Sequence, residues 1–466
     1  MGASFKFYQH FFLRRRDFDM LYPRGYRVPK GDSEETDALV EALTVEPRMD
    51  FMPDQEPIRF CVCMETQRHL YLPKHYGLQR FGPGSALPEP TRVNLTFRGE
   101  LLPNQREPVE AYLRYAHDPK EMGGILTLPP GYGKTVIALH LVARLGVKTL
   151  VLVHKEFLMH QWIERIEGYL PGARVGMIKQ AKVQVDADIV IASVQSASMR
   201  NYPPETFEGF GLVIVDECHH MAASVFSRAL PKATFRYTMG LTATLTRKDG
   251  LSRVLHWFMG KVVFKVACKQ SVPCDVRTIP YLPESSREEG LYGHELSLRN
   301  GKPNITRMIN VLAETPGRTA FVVRTIVELL REEPTRNVIV LSDRRHHLET
   351  MREALGHQGV CDTGLYVGGM KNELLERSKA SRVLLGTYAM VSEGFDLPKL
   401  DTLVLSTPKS DVEQAVGRIQ RKHEITADDN PPLVLDVVDD YSVFRKQAAR
   451  RRGFYEKRKY TIRGNA

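Results

Sequence analysis

Short runs of aliphatic and β-branched residues recur along the chain in two blocks, with helical stretches between them. The runs fall at 125–128, 149–154, 188–193, 212–217 and 238–244 in the first block, and at 337–342, 382–387, 401–406 and 433–438 in the second. Near-continuous apolar runs of this kind are typical of parallel strands that are buried on both faces. The pattern therefore predicts an α/β fold with two tandem lobes, each a parallel sheet flanked by helices.

The length and the punctuation of the chain suggest how these blocks divide into domains. At about 150 residues per domain, the 466 residues correspond to two or three domains. A stretch rich in Pro and Gly at 83–91 indicates a linker ahead of the first block. The predicted organisation is a small N-terminal accessory domain at 1–95, a first lobe at 96–267, an interlobe linker with the start of the second lobe at 268–319, and a second lobe with a basic tail at 320–466.

The composition excludes several classes of protein. With 42% hydrophobic and 26% charged residues, the chain can bury large cores, which argues against a disordered protein or a disulfide-stapled one. No apolar run reaches the ~18 residues of a membrane span. The six cysteines contain no CxxC pair, and no second cluster completes a zinc site around Cys61 and Cys63. Reduced thiols in an intracellular protein are therefore expected.

Positive charge is concentrated at the two ends of the chain. The net charge is +10, of which +8 lies in residues 441–466 and +5 in residues 1–30, so that the remaining body carries −3. Basic ends suit a polyanionic partner such as nucleic acid. They are equally consistent with solvated ends that only aid solubility. The same two interpretations hold for the basic and aromatic segments 7–16 and 445–459.

The sequence Leu-Pro-Pro-Gly-Tyr-Gly-Lys-Thr at 128–135 joins a predicted strand to a predicted helix, which is the context that a phosphate-binding loop requires. Glycines let backbone N–H groups surround phosphate oxygens at the amino end of the helix. Lys134 is expected to reach the β- and γ-phosphates, and the Thr135 hydroxyl to bind Mg²⁺. Leu128 replaces the first Gly of the strict pattern. The expected nucleotide contacts are Pro130, Gly131, Tyr132, Gly133, Lys134 and Thr135.

Two further groups of polar residues fit the chemistry of phosphoryl transfer. Asp216 and Glu217 end a predicted strand, where the first can hold Mg²⁺ and the second can act as the base for the attacking water. On a helix, Gln414, Arg418 and Arg421 share one face and could stabilise a γ-phosphate in its transition state. For the arginines alone, the alternative is a solvated surface helix.

These motifs, in this order, resemble those of superfamily 2 helicases over about 96–425. The segments 128–135, 216–219, 241–244 and 414–421 are similar to motifs I, II, III and VI. The resemblance implies two RecA-like lobes with ATP and Mg²⁺ bound between them. It also implies that Gln105 senses adenine and that Gly394 and Asp396, in motif V, contact the nucleotide.

The resemblance implies, in addition, ATP-driven movement along nucleic acid that lies across both lobes. Phosphate contacts would make the binding largely independent of sequence. The residues that coupling would involve are His219, Thr242 and Thr244. The residues in motifs Ia, Ic, IV and V that would contact nucleic acid are His154, Lys155, Ser193, Gln195, Arg344, Gly386 and Thr387.

Within the superfamily, motif II and the stretch around 240–249 resemble the XPB-like branch and the compact helicases of large DNA viruses and phages. The charged triplet of XPB is Arg247-Lys248-Asp249 here, with its central charge reversed. A DEAD-box signature is absent, since motif II ends in His219 and motif VI begins with Gln414. The resemblance therefore favours a DNA helicase or duplex-DNA translocase, acting as a monomer on DNA. The alternatives are an RNA-directed DExH ATPase and a non-catalytic nucleic-acid-binding scaffold.

Overall fold

The structure is a computed structural model, and it divides into two compact units, Met1–Ala267 and Cys268–Ala466. The residues that it describes are 20–22, 25–46, 59–83, 89–129, 131–221, 225, 228–230, 235–245, 250–266, 273–283, 296–297, 301, 303–391, 395, 397–420 and 430–464. Among these residues, no helix is both long enough and apolar enough to cross a membrane.

The first unit combines a small antiparallel region with a large sheet. Its strands are β1 (Met20–Tyr22), β2 (Gly25–Pro29), β3 (Thr44–Val45), β4 (Phe60–Cys61), β5 (Met64–Glu65), β6 (His69–Leu72), β7 (Gly123–Thr127), β8 (Thr149–Val153), β9 (Val175–Lys179), β10 (Lys182–Val183), β11 (Ile189–Ser193), β12 (Leu212–Val215), β13 (Tyr237–Thr242) and β14 (Val262–Lys265). Its helices are α1 (Ser33–Ala42), α2 (Lys74–Phe81), α3 (Pro103–Ala116), α4 (Lys134–Leu145), α5 (Glu156–Tyr169), α6 (Val194–Met199) and α7 (Ser252–Met259).

The large sheet has the strand order β10-β9-β11-β8-β12-β13-β7-β14, and every described pairing in it is parallel except that of β10 with β9. The five apolar runs of the first block coincide with β7, β8, β11, β12 and β13. Because the strands are parallel, their carboxyl ends meet at one edge, which we call the carboxyl edge of the first unit. Polar residues that follow the strands are thereby brought together.

Burial on both faces explains why these strands are continuously apolar. Along β8, Leu150 and Leu152 belong to one hydrophobic core, whereas Val151 and Val153 belong to the core on the opposite face. Helices α3, α4 and α5 cover the second of these cores. Full burial of each such side chain contributes about 1.5–3 kcal/mol. A polar residue within β8 would therefore be costly on either face.

The described parts of the N-terminal region, residues 25–46 and 59–83, pack onto the first sheet. Val28 and Leu70 share a core with Ile125 of β7. Helix α2 contributes two buried polar side chains to this contact. The Lys74 Nζ donates to the carbonyls of Phe235 and Arg236 at 3.2 and 2.7 Å, and the His75 Nε2 lies 2.6 Å from the Thr238 Oγ1. These groups adjoin the start of β13, at the edge opposite the carboxyl edge. The segment 7–16 lies outside the described residues.

Lys74 predicts a pH dependence of stability. Burial lowers its pKa to about 7, against ~10.4 in an unfolded chain. Between these values the unfolded state binds more protons, so the cost of burying the ammonium is full below pH 7 and is relieved as the pH rises. From pH 7 to pH 9 the wild type should gain at least ~1 kcal/mol of unfolding free energy relative to Lys74→Met. Urea unfolding of both proteins measures this, and parallel pH profiles would contradict it.

The second unit contains one described sheet of seven strands. They are β15 (Asp275–Tyr281), β16 (Val338–Ser342), β17 (Thr363–Tyr366), β18 (Val383–Thr387), β19 (Thr402–Leu405), β20 (Leu433–Asp439) and β21 (Thr461–Arg463). The helices are α8 (Ile305–Glu314), α9 (Pro316–Glu332), α10 (Arg345–His357), α11 (Asn372–Lys379), α12 (Tyr388–Val391), α13 (Glu413–Val416) and α14 (Ser442–Lys457). The strand order is β17-β18-β16-β19-β20-β15-β21, and all pairings are parallel. The predicted α/β class with two helix-flanked parallel sheets is confirmed.

Strand β20 carries a buried carboxylate on each face, and each is paired with an arginine from a covering helix. Arg318 of α9 donates from Nε and Nη2 to Asp439 at 2.6 and 2.7 Å. Arg451 of α14 makes the same bidentate contact, from Nε and Nη2, with Asp436 at 2.9 and 2.8 Å. The Tyr455 hydroxyl also donates to Asp436. The C-terminal basic segment is therefore a helix packed on the sheet, and its central arginine is a core residue.

Candidate functional site

The phosphate-binding loop has the local geometry that its sequence predicts. Strand β7 ends at Thr127, and helix α4 begins at Lys134. Gly131 and Gly133 have φ values of 80° and 85°, in the left-handed region that favours glycine. A Cβ at Gly131 would meet nothing within 4 Å, so space is open beside the loop. Backbone N–H groups at the amino end of α4 can therefore receive an anion. Pro130 lies outside the described residues.

Gln105 contacts the backbone of this loop through its side-chain amide. Its side chain is buried, its Oε1 accepts from the Leu102 N–H at 3.0 Å, and its Nε2 donates to the Tyr132 carbonyl at 3.1 Å. A Cβ at Gly133 would lie only 2.3 Å from the Gln105 Nε2, so a larger residue there would displace the Gln105 amide, and the φ of 85° also favours glycine. The Tyr132 hydroxyl donates to the Asn104 carbonyl at 2.6 Å. Gln105 thus positions the loop backbone, a contact that the sequence pattern did not indicate.

The acidic pair lies at the carboxyl end of β12. Asp216 is buried, its Oδ2 accepts from the Trp162 Nε1 at 2.9 Å, and its Oδ1 accepts from the Glu217 N–H at 2.9 Å. Burial, followed by the neighbouring Glu217 charge, raises the pKa of Asp216 to about 6. Trp162 opposes this rise by donating to the carboxylate. Sequence reasoning missed this role of Trp162, because nothing in the pattern of α5 relates it to a strand 54 residues away.

Glu217 faces the phosphate-binding loop. Its φ and ψ of 44° and 48° are left-handed, a strained conformation for a residue with a Cβ, and they turn the chain sharply after β12. The Lys134 Nζ lies 3.1 Å from the Glu217 Oε1, and both side chains are largely buried. Lys134, Asp216 and Glu217 are therefore brought together as the sequence predicts.

A chain of contacts continues from Glu217 to the end of β13. The His219 Nδ1 lies 3.5 Å from the Glu217 Oε2 and 2.8 Å from the Thr242 Oγ1. The Thr242 hydroxyl in turn donates to the Thr244 carbonyl and accepts from the Thr244 N–H. All three residues predicted to couple the two functional sites thus lie in one connected series that begins at the candidate base.

The residues present fit a magnesium ion. Thr135 follows Lys134 in the first turn of α4 and is half-buried, and Asp216 supplies a carboxylate from β12. Hydroxyl and carboxylate oxygens are the ligands that Mg²⁺ prefers. Burial, followed by the charge of the adjacent Glu217, raises the pKa of Asp216, and a divalent cation bound there would favour the ionised carboxylate.

The remaining candidates of the first unit continue along the same edge. His154 and Lys155 follow β8. Ser193 is the last residue of β11, the next strand out from the nucleotide side, and Gln195 follows it. Beside them lies a groove of about 380 Å³, lined by Glu156, Met159, Lys179, Gln180, Ser193, Gln195, Ser196, Met199 and Arg200. Met199 is 76% exposed. The carboxyl edge therefore carries the phosphate-binding groups at β7 and β12 and a separate open groove at β9 and β11.

In the second unit, two of the predicted nucleic-acid contacts are engaged within the fold. The Arg344 guanidinium donates to the Thr306 and Asp343 carbonyls at 3.0 and 3.1 Å, and to the Asn310 side chain. Gly386 is buried in β18, and a Cβ there would lie 2.9 Å from Val391. Thr387 ends that strand and is half-buried. Of these three candidates for nucleic-acid contact, Thr387 is the one that lies at the end of a strand without being fully buried.

The prediction that Gln414, Arg418 and Arg421 share one face of a helix is wrong for residues 414–420, which the structure describes. Helix α13 ends at Val416, and the Arg418 and Ile419 N–H groups donate three residues back in a tight turn. Arg418 is 6% exposed, and its Nε donates to the Val391 carbonyl at 3.1 Å. Gln414 and Arg418 thus do not lie one helical turn apart on an exposed face. Arg421, Gly394 and Asp396 lie outside the described residues.

Comparison with known proteins shows similarity to a protein family and to helicases of viruses and phages. A family model described as the res subunit of type III restriction enzymes matches residues 98–247. The chain is 32% identical over 454 residues to the "Putative ATP-dependent RNA helicase L396" of Acanthamoeba polyphaga mimivirus, covering 94% of this chain and 85% of that protein. It is 28% identical over 351 residues to the "Probable helicase D10" of Escherichia phage T5, covering 71% of each.

Two further similarities extend over most of the chain. The "Putative helicase 161L" of Invertebrate iridescent virus 6 is 27% identical over 391 residues, covering 78% of this chain and 83% of that protein. The solved structure of T4 UvsW covers 93% of this chain and 96% of that chain at 17% identity, with a TM-score of 0.37. The similarity to the mimivirus protein covers most of the length of both chains. The chain therefore belongs to the superfamily 2 helicases, in the group that large DNA viruses and phages encode.

Proposed function

We propose that the protein is an ATP-dependent DNA helicase or duplex-DNA translocase of the XPB-like branch. The observation that carries the proposal is the arrangement of the carboxyl edge in the first unit. There the series Lys134, Glu217, His219 and Thr242 joins the phosphate-binding loop to the ends of β12 and β13. The same edge continues to His154, Lys155, Ser193 and Gln195, which suit phosphates of a nucleic-acid backbone.

Within the proposal, the resting ion pair between Lys134 and Glu217 has a defined function. When the β- and γ-phosphates of ATP enter the loop, Lys134 exchanges the carboxylate for phosphate oxygen. Glu217 then becomes available to accept a proton from the attacking water. Thr135 and Asp216 would hold Mg²⁺, which neutralises phosphate charge in the transition state. Movement of Glu217 is transmitted to β13 through His219 and Thr242.

The second unit is proposed to complete the site. The proposed lobes are 96–267 and 320–466, with 268–319 as the linker and start of the second lobe and 1–95 as the accessory region. Gln414, Arg418 and Arg421 are proposed to act on the γ-phosphate, and Gly394 and Asp396 to contact the nucleotide. The Arg418 Nε donates to the Val391 carbonyl, and the proposed contact with the γ-phosphate is assigned to the rest of its guanidinium. Arg344, Gly386 and Thr387 are proposed for the nucleic-acid track, the first two through the backbone they position.

The nature of the nucleic acid separates two candidate functions. His219 and Gln414, in place of the residues of a DEAD box, support DNA. The printed name of the mimivirus relative, an RNA helicase, supports an RNA-directed ATPase instead. The two candidates predict the same ATP site and differ in the polynucleotide that stimulates it.

One set of assays distinguishes these functions. ATP hydrolysis and strand displacement are measured with 3′-tailed, 5′-tailed and blunt DNA duplexes and with RNA duplexes of the same sequence. A DNA helicase displaces a DNA strand with one tail polarity, and a duplex translocase hydrolyses ATP on blunt DNA and displaces the third strand of a triplex. Stimulation by RNA alone would favour the RNA-directed ATPase. Hydrolysis with no polynucleotide response would contradict both, and binding without hydrolysis would indicate a scaffold.

Trp162 is expected to position the metal-binding carboxylate. Trp162→Phe keeps the apolar packing but removes the N–H that donates to Asp216, and loss of such a contact typically weakens metal affinity or activity about 10-fold or more. The Mg²⁺ concentration for half-maximal ATPase activity should rise accordingly. Trp257→Phe is the matched control, since Trp257 packs against Tyr76 in the same unit. An unchanged Mg²⁺ dependence in Trp162→Phe would exclude this role.

A further inference from the structure

Two thiols of the N-terminal region lie in direct contact. Cys61 ends β4, where it pairs with Thr44 of β3, and Cys63 lies two residues further along the chain. The two Sγ atoms are 2.6 Å apart, about 0.6 Å more than a disulfide bond. Both residues are half-buried. Neither thiol belongs to the carboxyl edge, and within the described parts of the chain no cluster of three or more His, Cys, Asp or Glu could hold a metal ion.

The backbone fixes this contact. Val62, between the two cysteines, is buried in the core shared with the first sheet, and its N–H donates to the Leu43 carbonyl at 3.0 Å. Cys61 and Cys63 flank Val62 and pack, half-buried, against the same core, with their Sγ atoms in contact. The Cys63 N–H also donates to the Cys61 Sγ at 3.3 Å, which favours a negative charge on that sulfur.

The electrostatics make the two thiols unequal. The hydrogen bond from Cys63 lowers the pKa of Cys61 to about 7, against the opposing effect of burial. The same contact raises the pKa of Cys63. A thiolate is the attacking species in thiol–disulfide exchange. The pair therefore has one sulfur suited to attack and a second sulfur in place to resolve the product.

We propose that Cys61 and Cys63 form a reversible dithiol–disulfide pair that is oxidised by low-molecular-weight disulfides. The Cys61 thiolate attacks one sulfur of the external disulfide, which breaks and releases one thiolate. Cys63 loses its proton to that thiolate and attacks the Cys61 sulfur. The intramolecular S–S bond forms as the second thiolate leaves, and that thiolate takes the proton given up earlier by Cys61. Two protein thiols are oxidised, and one external disulfide is reduced to two thiols.

The test uses the full-length protein, reduced and then exposed to glutathione disulfide at several ratios to glutathione. Remaining thiols are alkylated, and the protein is cleaved with trypsin. Cleavage after Arg59 and Arg68 places both cysteines in the single peptide 60–68. The expected product is this peptide lighter by two hydrogen atoms and free of alkyl groups, restored by dithiothreitol. Cys361, an exposed thiol elsewhere, is the internal control and should show a glutathione adduct at most.

Two serine variants separate the two steps. Cys63→Ser should stop at a glutathione adduct on Cys61, and Cys61→Ser should lose the lighter peptide entirely. Because the decisive product is measured in the wild type, a folding defect in either variant does not leave the proposal untested. The proposal is overturned if the wild type keeps a stable glutathione adduct on Cys61, forms disulfides between chains, or keeps both thiols reduced at ratios that modify Cys361. None of these outcomes depends on helicase activity.

Discussion

Glu217→Gln is expected to lower ATP turnover about 100-fold or more, because loss of a general base typically has this effect, while nucleotide affinity is kept. Glutamine conserves the size and the hydrogen-bonding shape of the side chain, so the turn after β12 can keep its left-handed geometry. It cannot accept the proton of the attacking water. The phosphates would still be held by the loop and by Lys134, which loses its partner carboxylate in the resting state. Single-turnover hydrolysis and nucleotide titration, measured separately, give the two quantities.

The matched control is Glu164→Gln, an equal change at an exposed position of α5. It should leave both turnover and affinity unchanged. If Glu217→Gln hydrolysed ATP at the wild-type rate, the base would be elsewhere. If Glu217→Gln lost nucleotide affinity together with turnover, the contact between Glu217 and Lys134 would stabilise the loop and would not simply be replaced when ATP binds. The second result would preserve the site but change the role assigned to Glu217.

The parts of the site that could be predicted from sequence are those fixed by short stretches of chain. Gly131 and Gly133 are required by backbone conformation, and Asp216 and Glu217 follow a strand that is buried on both faces. In each case the local sequence determines both the element and the direction in which the chain leaves it. The parallel sheet then brings the strand ends to one edge, so a correct list of strands predicts the proximity of Lys134 and Glu217.

The parts that could not be predicted depend on pairings between distant segments. The hydrogen bond from Trp162 to Asp216 and that from Gln105 to the Tyr132 carbonyl join residues 54 and 27 positions apart. Lys74, which belongs to none of the predicted motifs, is buried against the chain before β13. No periodicity encodes such contacts, because they depend on which faces the helices present after the sheet has formed.

The hydrogen bonds that arginines make inside the fold could not be predicted from sequence. Arg418 and Arg344, proposed to contact the nucleotide and the nucleic acid, each also donate to carbonyl groups of their own unit. One signal was present for Arg451, because the apolar run 433–438 contains Asp436. A carboxylate inside a continuously buried strand needs a cationic partner or hydrogen-bond donors, and an arginine of the second block could supply both. The partner is supplied by α14, the segment whose charge suggested a nucleic-acid-binding tail.

Arg451→Ala is consequently expected to be the most destabilising single change in the C-terminal segment. It would leave Asp436 buried with the Tyr455 hydroxyl as its remaining described donor, and removing one partner of a buried ion pair typically costs about 3–5 kcal/mol. It would also remove the donor to the Lys409 carbonyl at 2.6 Å. By contrast, Arg450 and Arg452 are exposed, and Arg452 makes a surface pair with Glu456. Each of their alanine variants should cost about 0.5 kcal/mol or less.

Thermal and urea unfolding followed by far-UV circular dichroism measure these differences, since both tryptophans lie in the first unit and report poorly on the second. Asp436→Ala and the double variant complete a cycle in which the double variant should cost clearly less than the two single costs added together. Simple additivity, or an Arg451→Ala protein as stable as Arg450→Ala, would show that the pair is not what holds α14.

The same comparison decides how a nucleic-acid role of this helix must be tested. Replacing Arg450 and Arg452 alone removes exposed charge while the fold is kept, so a weaker salt dependence of DNA binding in that variant would assign the surface of α14 to the DNA.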